Sequence, residues 1–119
     1  MIAKILSGAK ISYIKWDMNR SITECYSIAY PAERQGEIFH RYILGVYDLY
    51  ERLTSEFPKV LFESCASGGG RFDPGMLYYA PQGWTSDDSD AIERLKIQYG
   101  TSMCYPLSSM GSHVSVVPN

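Results

Sequence analysis

The chain has 119 residues, the length of one ordinary domain and too short for a complete eight-stranded β/α barrel of ~250 residues. Hydrophobic residues make up 45% and charged residues 20%, a balance typical of folded domains and unlike that of disordered chains. The net charge of −2 provides no basic surface for nucleic acid or anionic lipid, so we expect neither partner.

The cysteines and the apolar segments indicate the cellular context. Cys25, Cys65 and Cys104 are odd in number and form no CxxC pair, which argues against a disulfide framework and a structural zinc site. No run of eighteen apolar residues occurs, and the apolar start at 1–6 is too short for a signal peptide. We therefore predict a soluble, cytoplasmic protein without a membrane span or a structural zinc site.

The first third of the chain contains one short helix and one strand. Apolar residues within 2–6 repeat at helical spacing up to Gly8, where a left-handed glycine suits the helix end. This pattern resembles the tail of a helix, so we expect more chain before Met1. Residues 11–16 have the β-branched and aromatic composition of a strand, which delivers Asp17 just past its end.

The middle of the chain combines a long helix with a buried strand. Residues 37–56 predict an amphipathic helix from apolar positions three and four apart, namely Ile38, Tyr42, Val46, Leu49 and Leu53. Pro58 is expected to close this helix. Residues 60–63 form a short apolar run of strand length, and a glycine-rich loop follows at 64–71.

The last third is predicted from turn residues and capping signals. The Pro, Gly and Tyr content of residues 72–83 favours irregular structure. Asp90 and Glu93 resemble a capping pair for a helix whose apolar face carries Ile92, Leu95 and Tyr99. Residues 105–117 alternate serine with apolar residues, which predicts a final strand.

Strands that alternate with helices predict βα units and a parallel sheet. The polar clusters around Asp17, Cys65 and Asp87 would then all follow strand ends. Because active sites of α/β proteins lie at the carboxyl ends of parallel strands, we expect one shared site there.

Asp17 and Asp87 are the leading candidates for chemistry. Two carboxylates that flank one pocket are what glycosidic cleavage needs, about 5–5.5 Å apart in a retaining enzyme. Acidic residues that open loops are, however, more often helix caps or solvated turn residues, and Asp90 and Asp88 fit the capping role. Asp87 remains free to face a ligand.

Other polar residues have two interpretations each. Lys15 shares a side of the strand with Asp17, where it either binds a sugar hydroxyl or reaches solvent. Arg20 and Arg71 either orient carboxylates or form structural ion pairs, and Glu63 is either a third catalytic carboxylate or a ligand of backbone groups. The glycines of 67–71 lack the features of a phosphate-binding loop and suit a neutral, hydroxylated ligand.

Three segments carry a family resemblance. The segments YIKWDMNR at 13–20, ESCASGGGRFDPGML at 63–77 and WTSDDSDAIERLKIQY at 84–99 resemble, in the same order, the signature blocks of α-galactosidases of glycoside hydrolase family 36. The resemblance implies retaining hydrolysis of terminal α-galactosyl residues, as in melibiose and raffinose-type sugars, without a cofactor. It also implies that residues 1–119 are roughly strands 4 to 7 of a (β/α)8 TIM barrel. The N-terminal β-sandwich, the first barrel strands and the C-terminal β domain would then be absent.

The same resemblance assigns roles by motif. Asp17 matches the nucleophile and Asp87 the general acid/base. The substrate-binding set comprises Lys15, Trp16, Asn19, Cys65, Gly68 and Trp84, with Cys65 and Gly68 near the sugar 2-hydroxyl. Full-length relatives are expected to be homo-oligomers, with the tetramer as the expected form.

Two other functions stay open at this point. One is a non-catalytic carbohydrate-binding or interaction fragment, against which the presence of both Asp17 and Asp87 argues. The other is an α-galactosyl transferase resembling raffinose synthases, which uses the same covalent intermediate. We expect the isolated chain to be inactive, because the resemblance places the rest of the sugar pocket upstream.

Overall fold

The computed structural model describes residues 1–19 and 23–117. Arg20, which the sequence offered as an orienting residue, lies outside this part of the chain. The described residues form an α/β unit with one four-stranded, fully parallel sheet in the order β1-β2-β3-β4. The predicted parallel sheet is therefore confirmed. No helix in these two described ranges is both long and apolar enough to cross a membrane.

The elements follow one another in chain order. The helices are α1 (Ile2–Gly8), α2 (Ile38–Glu56), α3 (Pro74–Tyr79) and α4 (Ala91–Ser102). The strands are β1 (Tyr13–Asp17), β2 (Leu61–Cys65), β3 (Gln82–Trp84) and β4 (Met110–Gly111). Short 3-10 helices occupy Ala32–Glu37 and Leu107–Ser109.

The core lies between the sheet and the helices α1, α2 and α3. Its buried members are Leu6, Val46, Tyr50, Leu53, Phe62, Met76 and Ala80. Tyr50 is fully buried, with its ring centroid 4.8 Å from that of Trp16 and 5.8 Å from that of Phe62. The predicted face of α2 is thus correct for Val46 and Leu53, whereas Leu49 is 46% exposed and Tyr50 is buried instead.

Several strand and helix limits differ from the predictions. Asp17 is the last residue of β1, and β2 continues through Ser64 and Cys65, so each predicted strand ended too early. Gly8 belongs to α1 and does not adopt a left-handed conformation, because the chain leaves the helix through an extended Ala9.

The irregular structure predicted for residues 72–83 is wrong, because α3 and most of β3 lie there. The Asp73 carboxylate accepts a hydrogen bond from the backbone N–H of Met76, and Pro74 occupies the first helical turn, where its missing N–H costs nothing. The strand predicted at 105–117 is also largely wrong. Only Met110 and Gly111 pair with β3, and Leu107–Ser109 form a 3-10 helix instead.

Helix α4 confirms one prediction and contradicts another. The Asp90 carboxylate caps its first turn by accepting the N–H groups of Ile92 and Glu93, as predicted. The predicted apolar face, however, is exposed at Ile92, Leu95 and Tyr99. The residue that α4 buries is Arg94, a charged side chain that is 2% exposed.

Candidate active site

The polar clusters meet at the carboxyl edge of the sheet. Asp17 ends β1, Cys65 ends β2, and Trp84 ends β3 directly before the turn at 85–88. Asp17 and Cys65 are register partners, as are Lys15 and Glu63. The expected common site of Asp17, Cys65 and Asp87 thus rests on three adjacent strands of one sheet.

Alternation along β1 separates two sets of side chains. Ile14 and Trp16 are half-buried against the helices, whereas Lys15 and Asp17 are on the opposite side of the strand. Trp16 packs on Tyr50 and Phe62, away from the Asp17 carboxylate. This packing is a core role, and the place of Trp16 in the sugar site stays a prediction.

Cys65 links Asp17 to the glycine-rich loop. Its thiol is 2% exposed, and burial raises its pKa above the usual value. A hydrogen bond to Asp17 raises this pKa further, while a hydrogen bond from the backbone of Gly68 opposes the rise. The thiol therefore stays protonated and donates to the Asp17 carboxylate.

Gly68 carries this chain of contacts to the turn that holds Asp87. Its φ of +77° is in the left-handed region, and a Cβ placed on it would lie 2.6 Å from the Ser86 Cα and 3.0 Å from the Asp87 backbone nitrogen. Only glycine allows the two backbones to come this close. Asn19 holds the residue before Gly68, because its Oδ1 accepts the N–H of Ser67 at 2.7 Å.

Trp84 connects Lys15 with Asp87. The Lys15 Nζ lies 4.5 Å from the centroid of its ring, and the indole Nε1–H donates to Asp87 Oδ1 at 3.0 Å. The indole packs closely on β4, since a Cβ at Gly111 would lie 2.7 Å from its Cε3. Asp87 is exposed, as expected, but one of its oxygens already accepts a hydrogen bond.

Glu63 is a buried carboxylate on the same side of the sheet as Lys15. It accepts a hydrogen bond from the Tyr13 hydroxyl, and its Oε1 lies 3.7 Å from the Lys15 Nζ. Burial raises the pKa of Tyr13 to about 12, helped by Glu63, so the phenol remains a donor. Glu63 therefore binds the side chains of Tyr13 and Lys15, whereas the sequence suggested either a third catalytic carboxylate or a ligand of backbone groups. Lys15 does not simply reach solvent.

The remaining candidates take structural positions. The Arg71 guanidinium donates to the Met18 carbonyl oxygen and lies 3.5 Å from the Tyr42 hydroxyl, so it binds backbone and phenol oxygens. Asp88 Oδ1 accepts the N–H of Asp90 at 3.1 Å, which closes a turn before α4, whereas the cap of the helix itself is Asp90. His40 is exposed on α2. Across residues 1–19 and 23–117 no group of three or more His, Cys, Asp or Glu side chains is arranged to hold a metal ion.

Arg94 is the residue of this site that sequence reasoning missed. A charged residue within a helix ordinarily points to solvent, which hid its role. The available signal was a stripe of polar or small residues at spacings of three and four, all of which are buried or half-buried: Ala91, Arg94, Gln98 and Thr101.

The chain is similar in sequence to proteins of one family. The model of the family described as Melibiase matches residues 1–119. The chain is 64% identical over 118 residues to the α-galactosidase AgaA of Geobacillus stearothermophilus, covering 99% of this chain and 16% of that protein. It is 61% identical over 118 residues to the α-galactosidase Mel36A of Lactobacillus acidophilus, with the same two coverages.

Solved structures agree with the curated relatives. The α-galactosidase of Lactobacillus brevis superposes with a TM-score of 0.94 at 63% identity, and the match covers 99% of this chain and 16% of that one. Substituted forms of the Geobacillus family 36 enzyme are solved with raffinose, at a TM-score of 0.93, and with stachyose, at 0.92, both at 63% identity. Each match covers 99% of this chain and 16% of the enzyme. The chain therefore spans 16% of the length of these relatives.

Proposed function

We propose that this chain is the segment of a retaining α-galactosidase that carries both catalytic carboxylates, because the chain belongs to the melibiase family. The observation that carries the proposal is the pairing of Asp17 and Asp87 at one sheet edge. A chain of contacts joins them through Cys65 and Gly68, and the Trp84 indole contacts both Lys15 and Asp87.

The proposed reaction has two displacements. An Asp17 oxygen attacks the anomeric carbon while Asp87 gives its proton to the departing glycosidic oxygen, which leaves a galactosyl ester on Asp17. Asp87, now ionised, takes a proton from water, and the hydroxide oxygen displaces Asp17. Two inversions return the α configuration. The Lys15 amine, on the same side of β1 as Asp17, supplies a donor for the sugar hydroxyls, and the buried Cys65 thiol supplies a donor to the Asp17 carboxylate itself.

The substituted relatives supply independent support for these roles. The raffinose complex carries one aspartate replaced by asparagine, and the stachyose complex carries another replaced by alanine. The two replaced aspartates are the same number of residues apart as Asp17 and Asp87. Substitution of such residues is how a substrate is kept intact in a crystal, and raffinose and stachyose both fit the proposed class of α-galactoside substrates.

The sheet is proposed to be strands 4 to 7 of a (β/α)8 barrel. Its strands follow one another in chain order without the reversal that a doubly wound sheet requires. A cytoplasmic location is proposed as well, supported by three free thiols at Cys25, Cys65 and Cys104. The homo-oligomeric state implied by the resemblance stays a prediction.

A grafted enzyme tests the proposed function. Residues 1–118 would replace the matching segment of the Geobacillus enzyme, which restores the flanking chain that this segment lacks. We expect the grafted enzyme to hydrolyse melibiose within about tenfold of the parent rate, about 1.4 kcal/mol of barrier. A grafted enzyme that melts cooperatively yet releases no galactose would contradict the proposal. Product analysis with excess raffinose as acceptor separates hydrolysis from transfer.

The isolated chain is expected to release no nitrophenol from 4-nitrophenyl α-galactoside. Among the described residues β1 and β4 are edge strands, so the sheet does not enclose a sugar, and positioning supplies up to about 7–11 kcal/mol of catalysis. The control is the grafted enzyme at equal concentration. Robust release by the pure chain that disappears in Asp17→Ala would show this expectation to be wrong.

Gly68→Ala in the grafted enzyme tests the close contact of the two loops. The new methyl group meets the Ser86 backbone and the φ of +77° disfavours alanine, so we expect about 2 kcal/mol of destabilisation. Displacement of Asp87 by about 1 Å should also lower kcat/KM about 10²-fold. Gly45→Ala is the matched control, because a Cβ there meets nothing within 4 Å. Equal thermal midpoints and rates for the two variants would contradict the prediction.

A further inference from the structure

Arg94 is a fully buried charge whose hydrogen bonds all go to uncharged oxygens. Burial lowers the pKa of its guanidinium, an effect that the nearby negative charge of Asp88 partly opposes. In the part of the chain that the structure describes, Arg94 forms no ion pair within 4.0 Å. Burying a guanidinium costs free energy unless its N–H groups donate hydrogen bonds. The location of the oxygens that accept those bonds therefore indicates what Arg94 does.

Those acceptors surround Asp87. Arg94 Nη1 lies 3.2 Å from the carbonyl oxygen of Ser86 and 3.4 Å from that of Asp88, the two neighbours of Asp87 in sequence. Arg94 Nη2 donates to Thr85 Oγ1 at 3.2 Å and to the Gly111 carbonyl oxygen at 2.8 Å. One rigid guanidinium thereby ties the turn at 85–88 to the end of β4.

Arg94 also reaches the Asp87 side chain through the indole of Trp84. The guanidinium carbon is 4.7 Å from the centroid of the Trp84 ring, within the range of a cation–π contact. The Nε1–H of that same ring donates to Asp87 Oδ1. The main chain on both sides of Asp87 and the donor to its carboxylate therefore depend on one side chain.

We propose that Arg94 is a positioning residue that holds the Asp87 carboxyl group in its proton-donating location. The inference rests on the proposed function, in which Asp87 protonates the leaving oxygen. A general acid acts only within hydrogen-bond distance of that oxygen, about 2.6–3.2 Å, so a small shift of the turn removes its contribution. An apolar side chain of similar size would fill the same space without binding the turn.

The test compares two leaving groups in the grafted enzyme. Melibiose releases a sugar alkoxide, which needs a proton, whereas 2,4-dinitrophenyl α-galactoside releases an anion that leaves without one. Arg94→Lys keeps the charge but loses the two-pronged geometry, and Arg94→Gln loses both. For each variant we expect kcat/KM to fall about 100-fold on melibiose and less than about threefold on the dinitrophenyl substrate.

A purely structural role predicts a different result. Misfolded enzyme lowers both rates by the same factor, so the ratio of the two rates does not depend on the folded fraction. Equal losses on the two substrates, or no loss on melibiose, would overturn the inference. Arg52→Gln is the matched control, since the Arg52 side chain is 73% exposed on α2, and its ratio should equal that of the grafted parent.

Asp87→Ala separates this inference from the proposal beneath it. If Asp87 is the acid, this variant shows the same selective loss on melibiose, and a larger one. Absence of that selectivity in Asp87→Ala would overturn the acid role itself. Selectivity in Asp87→Ala together with equal losses in the Arg94 variants would overturn only the role of Arg94.

Discussion

Replacing Asp17 with alanine in the grafted enzyme should lower kcat/KM for 4-nitrophenyl α-galactoside by at least about 10⁴-fold, or about 5 kcal/mol of barrier. The reason is that the galactosyl ester forms on a carboxylate oxygen at the end of β1, and no other carboxylate among the described residues lies at the end of that strand. Nitrophenol release at saturating and limiting substrate measures the loss. Asp48→Ala is the matched control, an exposed aspartate on α2 whose side chain faces solvent.

Azide makes this prediction stereochemically specific. In Asp17→Gly the small anion can occupy the space of the missing carboxylate and attack the anomeric carbon directly. A single displacement inverts the centre, so we expect β-galactosyl azide and partial recovery of nitrophenol release. Recovery with α-galactosyl azide as the product would contradict the assignment of Asp17 as nucleophile.

Replacing Asp87 with alanine should lower kcat/KM on melibiose by about 10²–10⁴-fold, because general acid catalysis contributes that much. With 2,4-dinitrophenyl α-galactoside the ester still forms, but no base activates water for the second displacement. We therefore expect a rapid burst of dinitrophenol followed by slow turnover, measured by stopped-flow absorbance. A slow release without a burst would argue against the acid/base role.

Azide also distinguishes Asp87 from Asp17. In Asp87→Gly the anion attacks the galactosyl ester, so two inversions give α-galactosyl azide and restore turnover. The neighbouring Asp88→Ala is the matched control, because the Asp88 carboxylate caps a turn through the N–H of Asp90. That variant should lose stability of about 1 kcal/mol and show no azide-dependent product.

The sequence was sufficient for the elements with a strong local pattern. Helix α2 has apolar residues in regular spacing over five turns, and β1 has adjacent β-branched and aromatic residues, so both were predicted close to their observed limits. Helix α3 was missed because the Pro, Gly and Tyr content outweighed the capping signal of Asp73 followed by Pro74. That signal was present in the sequence and identifies the helix when used.

The site was predictable in part, for a different reason. Asp17 comes after a strand pattern and Asp87 after a turn pattern in the sequence. Their position at the same edge of the sheet is therefore predicted once the sheet is known to be parallel. The roles of Arg94 and Gly68 depend on contacts between segments far apart in sequence, which a local pattern does not contain. The alternating residues of 105–117 pair with β3 only at Met110 and Gly111, because alternation does not show where a strand will find a neighbour, and residues 107–109 form a 3-10 helix.

The alternation along β1 has a consequence for how this segment tolerates changes in length. Trp16 packs in the core while Lys15 and Asp17 lie on the other side of the same five-residue strand. Inserting or deleting one residue inside β1 would exchange the two sets, burying the aspartate among the helices and moving the tryptophan into the polar edge. Natural insertions and deletions should therefore be excluded from residues 13–17. They should accumulate in the connection between β1 and α2, where they do not change which side of the strand each side chain of β1 faces.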